Sequence, residues 1–311
     1  MSSDRRPSVL ILRALGLGDL LTSIPALRAL RREYPGHRLL LAVPSPLHEL
    51  ALETGAVDAV LHAEPLQDLP KELPRPDIAV NLHGRGPQSH NILGHTKPGT
   101  MLAFRNENAG FLDGPEWAPE EHERVRWCRM LEAFDIEADP DDMYIQAPNS
   151  GRWGELADVT VIHPGAASPA RRWPVERFAA VARSEIALGR KVVVTGARGE
   201  RELGLQLCTL AGLSPKACFA GETTVAELTN IVAPAGRVVC GDTGIAHLAS
   251  ALRTPSVILF GPTSPERWGP PPGPHVALWA GHAGDPHGNQ PDAGLLEIEA
   301  PSVIQALSDL P

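Results

Sequence analysis

Asp242-Thr243-Gly244-Ile245-Ala246-His247, continued by Leu248-Ala249-Ser250-Ala251-Leu252 and then by Pro255-Ser256-Val257-Ile258-Leu259-Phe260-Gly261-Pro262-Thr263, decides the fold. The aliphatic run at 237–240 predicts a strand, Asp242 a polar turn, Thr243-Gly244 a helix start, and 255–260 a second buried strand. Free backbone N–H groups and the positive end of a helix dipole are thereby expected at a strand's carboxyl edge, where an anion is stabilised.

The same alternation extends upstream. Strands are expected at 9–13, 38–43, 57–61 and 77–82, with helices at 19–34, where Leu20, Leu21, Ile24, Leu27 and Leu30 keep helical spacing, and at 47–54. The pattern breaks into Gly, Pro and acidic residues at 109–119, resumes with a charged amphipathic helix at 120–134, and closes at Asp139-Pro140-Asp141-Asp142. A second series follows: strands at 159–162, 191–195, 217–220 and 237–240, and helices at 175–188, 200–211 and 225–232. Two similar α/β halves, each a parallel sheet wound on both faces, are expected, with domains at 1–150 and 151–311 and a boundary near 148–155. The prolines at 268–274 read as a stiff surface turn.

A chain of 311 residues suits two domains with a cleft between them. With 43% hydrophobic and 21% charged residues it has an ordinary globular balance, while 5% aromatics and 31 prolines favour aliphatic packing and stiff loops. A net charge of −9 argues against a nucleic-acid partner, though a local basic pocket remains compatible with it. Arg13 and Asp19 interrupt the first apolar run, so neither a signal peptide nor a spanning segment is expected, and the protein is expected to be cytoplasmic. Cys128, Cys208, Cys218 and Cys240 form no CxxC pair and read as reduced, partly buried thiols.

Gly16-Leu17-Gly18-Asp19 follows the first strand but lacks the third glycine of a dinucleotide fingerprint. Val43-Pro44-Ser45 stands where that fingerprint needs an acid, and no GxxxxGK[ST] occurs. What remains is a glycine turn that sets Asp19 at a helix start beside the crevice of a doubly wound sheet, where it serves either as a helix cap or as a reactive carboxylate.

Three separated motifs resemble family 9 glycosyltransferases, the ADP-heptose:lipopolysaccharide heptosyltransferases and their relatives. They are Leu15-Gly16-Leu17-Gly18-Asp19 with Leu21-Thr22-Ser23-Ile24-Pro25-Ala26-Leu27, Arg171-Arg172-Trp173-Pro174, and the 242–247 hexapeptide. The resemblance implies a GT-B architecture, two Rossmann-like doubly wound domains facing across a cleft, with the acceptor on the N-terminal half and the donor on the C-terminal half. It also implies inverting transfer of a heptose-like sugar, from an ADP-linked nucleotide-diphospho-sugar to a hydroxyl of a cell-envelope glycan or other glycoside. The acceptor is expected to be a glycan or lipid-linked molecule, reached with peripheral membrane contact by a monomer. No cofactor is required, a divalent cation such as Mg being optional.

The resemblance makes Asp19 the catalytic base, ionised at neutral pH at an ordinary carboxylate pKa. Arg171 stands where many relatives carry Lys before x-Trp-Pro, and a guanidinium there clamps two phosphate oxygens; the alternative is a solvated Arg171-Arg172 loop. Trp173 and Pro174 are expected to fix the next helix. Thr243 and Gly244 offer a hydroxyl and amides to the diphosphate, and His247 a further donor, unless it is a core histidine. Asp242 reads as a turn-holder or a metal ligand beside the diphosphate. Ser168, in His163-Pro164-Gly165-Ala166-Ala167-Ser168, and Gly196 and Glu200, in Thr195-Gly196-Ala197-Arg198-Gly199-Glu200, are further donor candidates. Glu200 would lie near the ribose or simply favour a first helical turn. Gly221-Glu222-Thr223-Thr224 would border the base.

Gly18, His83, Arg85, Gln88 and Ser89 are acceptor candidates, the last four in a stretch, 81–90, whose composition is polar and flexible or simply that of a solvated loop. His275, His282 and His287 with Asp285 match no compact metal pattern and read as a solvated loop. Two other readings stand beside transfer. One is a nucleotide-sugar epimerase of the same frame, which would turn over donor alone; the other is a non-catalytic nucleotide-sugar-binding protein, against which the retained Asp19 speaks.

Overall fold

A computed structural model describes residues 6–146 and 151–311. The chain divides into two compact units, Met1–Met143 and Tyr144–Pro311. That division falls a few residues before the expected boundary at 150/151, part of which, 147–150, lies outside the described residues.

The first unit runs β1 (Ser8–Leu12), α1 (Leu17–Thr22), α2 (Ile24–Glu33), β2 (Arg38–Val43), α3 (His48–Glu53), β3 (Ala59–His62), β4 (Ile78–Asn81), α4 (Gln88–His95), β5 (Thr100–Leu102) and α5 (Glu123–Glu132). Its five strands are parallel in the order β3-β2-β1-β4-β5. Burial on both faces explains the uninterrupted aliphatic run of β1, whose Val9 to Leu12 are at most 2% exposed. β1 pairs with β2 on one side and β4 on the other, with Leu12 opposite both Ala42 and Asn81. The chain therefore leaves the sheet in opposite directions after β1 and β4, and their carboxyl ends frame a crevice. Leu10, Leu12, Ala42, Ala79, Ile92 and Leu93 form a core beneath it.

The second unit runs β6 (Thr160–His163), α6 (Val175–Ala187), β7 (Val192–Val194), α7 (Arg201–Ala211), α8 (Val225–Val232), β8 (Arg237–Gly241), α9 (Gly244–Leu252), β9 (Ser256–Phe260), α10 (Pro265–Trp268), β10 (His275–Trp279), α11 (Ala293–Glu297) and α12 (Ala300–Ser308). Its strands, also parallel, take the order β10-β9-β8-β6-β7. The crevice here lies between β6 and β8, where His163 is opposite Cys240. Ile162, Phe178, Val194, Leu207, Val239, Val257 and Leu259 belong to its core. All four cysteines are free and buried. Among the described residues no helix is long and apolar enough to cross a membrane.

Several local expectations need correction. The helix expected over 19–34 is broken at Ser23, because Pro25 has no N–H to continue the ladder and the Ser23 hydroxyl donates to Leu20 O at 2.7 Å. The strand expected at 217–220 shrinks to a single parallel bridge between Cys218 and Val194 of β7. β5 and β10 are two further strands, both at sheet edges, β5 only three residues long and β10 half-exposed, each with a short apolar run that directly follows Pro and Gly turn residues. His275 consequently begins a strand rather than lying in a solvated loop.

Candidate functional site

In the first unit β1 delivers Arg13 to the crevice and the Gly16 turn starts α1, with Asp19 as its third residue. Asp19 Oδ2 accepts from Gly16 N at 3.2 Å, so the carboxylate does cap its own helix. The other oxygen is not used for capping. Oδ1 lies 3.5 Å from Arg13 Nη2, and the side chain remains 28% exposed, open to a ligand. Burial pushes the Asp19 pKa above its ordinary 3.8; Arg13 and the Gly16 N–H oppose that shift, while the negative charge of Glu123 adds to it. Gly18 is half-buried in the same turn of helix.

At the carboxyl end of β4, Asn81 organises the loop that follows from a fully buried position. Its Oδ1 accepts from His83 N at 3.1 Å, and its amide donates to Gly84 O at 3.3 Å, Ser89 Oγ at 3.0 Å and His90 Nδ1 at 3.2 Å. His90 Nε2 donates in turn to Phe104 O at 2.8 Å. The stretch expected to be flexible is thus an ordered turn followed by α4. Gly86 at φ +80° leaves no room for a side chain, since a Cβ there would fall 2.1 Å from His90 Nδ1. Ser89 is only 1% exposed and faces Asn81, so it supports the loop from within. Arg85 and Gln88 are exposed. His83 is half-buried with Nδ1 unpartnered, and burial, reinforced by the Arg13 charge, lowers its pKa to about 4, so it is neutral at pH 7.

In the second unit the loop after β6 and the start of α9 flank the β6/β8 crevice. Ser168 Oγ accepts from Ala170 N at 3.4 Å, capping the 3-10 turn Pro169–Arg171, and donates to Gly288 O at 3.0 Å. Its proton is therefore committed to the chain. Arg171 Nη1 donates to Asp242 O at 3.2 Å and stands 4.0 Å from Asp242 Oδ2, while its Nε is buried without a partner. Gly241 permits this approach, since a Cβ there would fall 2.9 Å from Arg171 O. Arg171 is therefore drawn to the carboxyl end of β8 rather than left on a solvated loop.

Asp242 is 4% exposed. Burial raises its pKa to about 6, against the opposing charge of Arg171 and a hydrogen bond with Thr263. Thr243 is the N-cap of α9, yet its side chain makes no capping bond, and the first turn carries no acid. Thr243 and Gly244 are half-buried. This helix start thus retains its capacity for an anion. His247 is 6% exposed, its ring edge-on to Trp268 at 5.6 Å.

Glu200 lies across the same crevice wall. Its Oε2 accepts from Ala197 N at 2.7 Å and is 3.8 Å from His163 Nε2. A Cβ at Gly165 would fall 2.1 Å from the Glu200 carboxyl carbon, and one at Gly196 3.3 Å from Glu200 Cβ. Both glycines thus give the carboxylate its place. His163 is held by Thr195 Oγ1 at 3.0 Å from Nδ1, and its burial lowers its pKa. Trp173, 2% exposed, donates to Ile298 O at 2.8 Å, and Pro174 caps α6, as their expected role requires.

The structure thus gathers Arg171, Asp242, Thr243 and Gly244 at one strand end and Asp19 with His83 about Arg13 at another. Among the described residues, no three His, Cys, Asp or Glu side chains are grouped to hold a metal ion. His275 Nδ1 is 2.9 Å from Ser256 Oγ, His282 is 3.8 Å from Glu297, and Asp285 accepts from His287 N at 2.9 Å, so the three histidines have separate surroundings. Arg13 and Glu123 had no place among the expected site residues. The signal was present, since a cation closing a buried aliphatic strand demands a buried counter-charge, but the sequence does not say which of many acids supplies it.

Residues 120–289, more than half of the chain, match the family model of glycosyltransferase family 9 (heptosyltransferase). Lipopolysaccharide heptosyltransferase 2 of Escherichia coli (strain K12) is 36% identical over 107 residues, 33% of this chain and 31% of that protein. The chain thus aligns with about a third of the length of this curated relative. The solved structure of Escherichia coli ADP-heptose lipopolysaccharide heptosyltransferase II superposes with a TM-score of 0.79 at 21% identity, covering 97% of each chain. A family 9 glycosyl transferase from Veillonella parvula superposes with a TM-score of 0.83 at 19% identity, covering 99% of this chain and 98% of that one. Two doubly wound domains in one chain, alike over their length to these structures, bear out the GT-B fold.

Proposed function

The chain belongs to glycosyltransferase family 9, the heptosyltransferases, and we propose that it moves a heptose-like sugar from an ADP-linked donor to a hydroxyl of a cell-envelope glycan, with inversion. The observation that carries this reading is Arg171 held at the carboxyl end of β8 beside the uncapped start of α9. A guanidinium and a row of amides converging on one strand end suit a diphosphate leaving group.

In the reaction the acceptor oxygen attacks the anomeric carbon from the face opposite the diphosphate. A carbon–oxygen bond to the acceptor forms as the bond to the β-phosphate oxygen breaks, and that bond's electron pair leaves on the diphosphate. Asp19 receives the acceptor's proton on the oxygen not engaged as a cap. Arg171, Thr243 and the amides from Gly244 onward stabilise the charge arriving on the leaving group, a contribution of about 10²–10³ in rate for a well-placed donor. His247 would add a donor beside them, and Glu200 with its free oxygen would hold the ribose hydroxyls; Ser168 and Gly196 would shape the wall. Asp242 orients Arg171 and holds the turn, and neutralisation is assigned to Arg171 without a divalent ion. His83, Arg85, Gln88 and Gly18 would meet the acceptor, with Ser89 supporting them through Asn81.

The test is incubation of the purified protein with ADP-heptose and heptose-deficient lipopolysaccharide, following ADP release and product mass, with and without EDTA. The expected result is acceptor-dependent ADP release, unaffected by EDTA, with inverted anomeric configuration in the product. Conversion of UDP-N-acetylglucosamine without any acceptor would instead make the protein an epimerase, and binding of ADP-heptose without transfer to any hydroxyl would make it a binding protein.

A further inference from the structure

Arg13 is only 1% exposed, yet every edge of its guanidinium is engaged. Nε donates to Asp19 O at 2.9 Å, Nη1 to Leu82 O at 2.5 Å, and Nη2 to Thr22 Oγ1 at 3.3 Å and Glu123 Oε1 at 3.1 Å. The Trp127 ring covers one face, its centroid 4.7 Å from Cζ, and Trp127 Nε1 donates to the same Glu123 oxygen at 3.0 Å. These contacts join the three elements around Asp19: its own α1, the exit from β4 at Leu82, and α5 with Glu123 and Trp127.

The charge balance is specific. Arg13 Nη2 faces two carboxylates, Glu123 at 3.1 Å and Asp19 Oδ1 at 3.5 Å, and Glu123 also forms a close ion pair with Arg126. Two cations therefore meet two anions, and the nearby His83 is neutral. Alone with Asp19, Arg13 would turn it into an ordinary salt-bridged carboxylate, since an opposite charge at this range lowers a carboxyl pKa by about 1–3 units and weakens it as a base. Glu123 takes the shorter contact and returns negative potential to Asp19.

We propose that Arg13 and Glu123 are positioning residues for Asp19. Arg13 fixes its backbone and aims one carboxylate oxygen, and Glu123 draws off enough of the Arg13 charge to leave that oxygen reactive. The inference rests on the reading of Asp19 as the base.

The full chain carrying aspartate labelled with carbon-13 at the carboxyl is titrated by NMR, the Asp19 signal being assigned by its loss in Asp19→Asn. Glu123→Gln is expected to move the Asp19 titration down by about one pH unit, and to move the acid limb of kcat/KM for ADP-heptose with it. Arg13→Lys, which keeps the charge but cannot reach all four oxygens, is expected to lower kcat by about tenfold at unchanged donor KM. If Glu123→Gln does not fold, the double variant Glu123→Gln/Arg126→Gln restores a balanced cluster and carries the same expectation. An Asp19 titration that stays at its parental position in a folded variant overturns the proposal, as does a parental kcat in Arg13→Lys. The NMR titration needs no turnover, so the two readings separate. Full transfer by Asp19→Asn, with the titration still following Glu123, removes the base and leaves the coupling standing; an inactive Asp19→Asn with an unmoved titration removes the coupling alone.

Discussion

Asp242 shows how one buried carboxyl ties pH to ligand affinity. Its pKa is raised from 3.8 to about 6, so the folded chain holds this proton more tightly than the unfolded chain does. The associated stability is fully present below pH 3.8 and is lost as pH rises through about 6. Above that pH the ionised carboxylate, 4.0 Å from Arg171, offsets part of the charge offered to a diphosphate. Asp242→Asn keeps the backbone carbonyl that holds Arg171 and removes the offset. It is expected to bind ADP about tenfold more tightly than the parent at pH 8. That advantage should vanish below pH 6 in calorimetric titrations, where ADP's own protonation cancels from the ratio. Asp19→Asn is isosteric and keeps an oxygen for the Gly16 N–H, so it should fold normally while transfer falls by about 10²–10⁴. Transfer at the parental rate by the folded variant would remove Asp19 from the mechanism. The raised Asp19 pKa places the loss of transfer on acidification above the range of an ordinary aspartate.

Loops become sites here because neighbouring elements leave them one conformation. The β6–α6 loop can lie against the carboxylate of Glu200 only because residue 165 has no side chain. Gly165→Ala is expected to push that carboxyl away from the Ala197 N–H it meets at 2.7 Å, raising donor KM about tenfold with little change in kcat, as steady-state kinetics would record. On the acceptor side α4 is polar in composition yet buried at Ser89 and His90, with Asn81 supplying the inward hydrogen bonds. Ser89→Ala takes away one acceptor of the Asn81 amide and should cost about 1 kcal/mol in urea unfolding. A loss indistinguishable from zero would mean that Asn81 holds the loop through Gly84 and His90 alone.

Each of the two units has its own parallel sheet and its own hydrophobic cluster, and the residues assigned to the diphosphate all lie in the second. A fragment of residues 144–311 is therefore expected to unfold cooperatively and to respond to ADP. At 100 times its dissociation constant ADP should stabilise fragment and full chain alike by about 2.7 kcal/mol, read as a rise in calorimetric melting temperature. NAD should give no comparable shift, since the first unit lacks both the third glycine of a dinucleotide fingerprint and the acid that reads its ribose. A melting temperature raised by NAD and unmoved by ADP would overturn the assignment of the second crevice.

Periodicity and glycine punctuation are local properties, and they placed most of the strands, the long helices and the hexapeptide at the start of α9 correctly. The same signals located Asp19 at a helix N-terminus and Arg171 before its helix, because a strand followed by a turn and a helix constrains where its polar residues emerge. Edge strands β5 and β10 escaped because their apolar runs are short and follow the turn residues Pro98-Gly99 and Pro272-Gly273-Pro274, and α4 escaped because only Ile92 and Leu93 mark its buried face as apolar, the rest of that face being Ser89 and His90 hydrogen-bonded to Asn81. Which carboxylate meets Arg13 is a pairing across 110 residues, and how closely Arg171 approaches Asp242 depends on the missing side chain of Gly241. Local sequence thus determined the βα units and the kinds of group at their carboxyl ends. Only the packed chain decided which charges share a site and how tightly each holds its proton, because desolvation and Coulomb energy depend on neighbours that no sequence window contains.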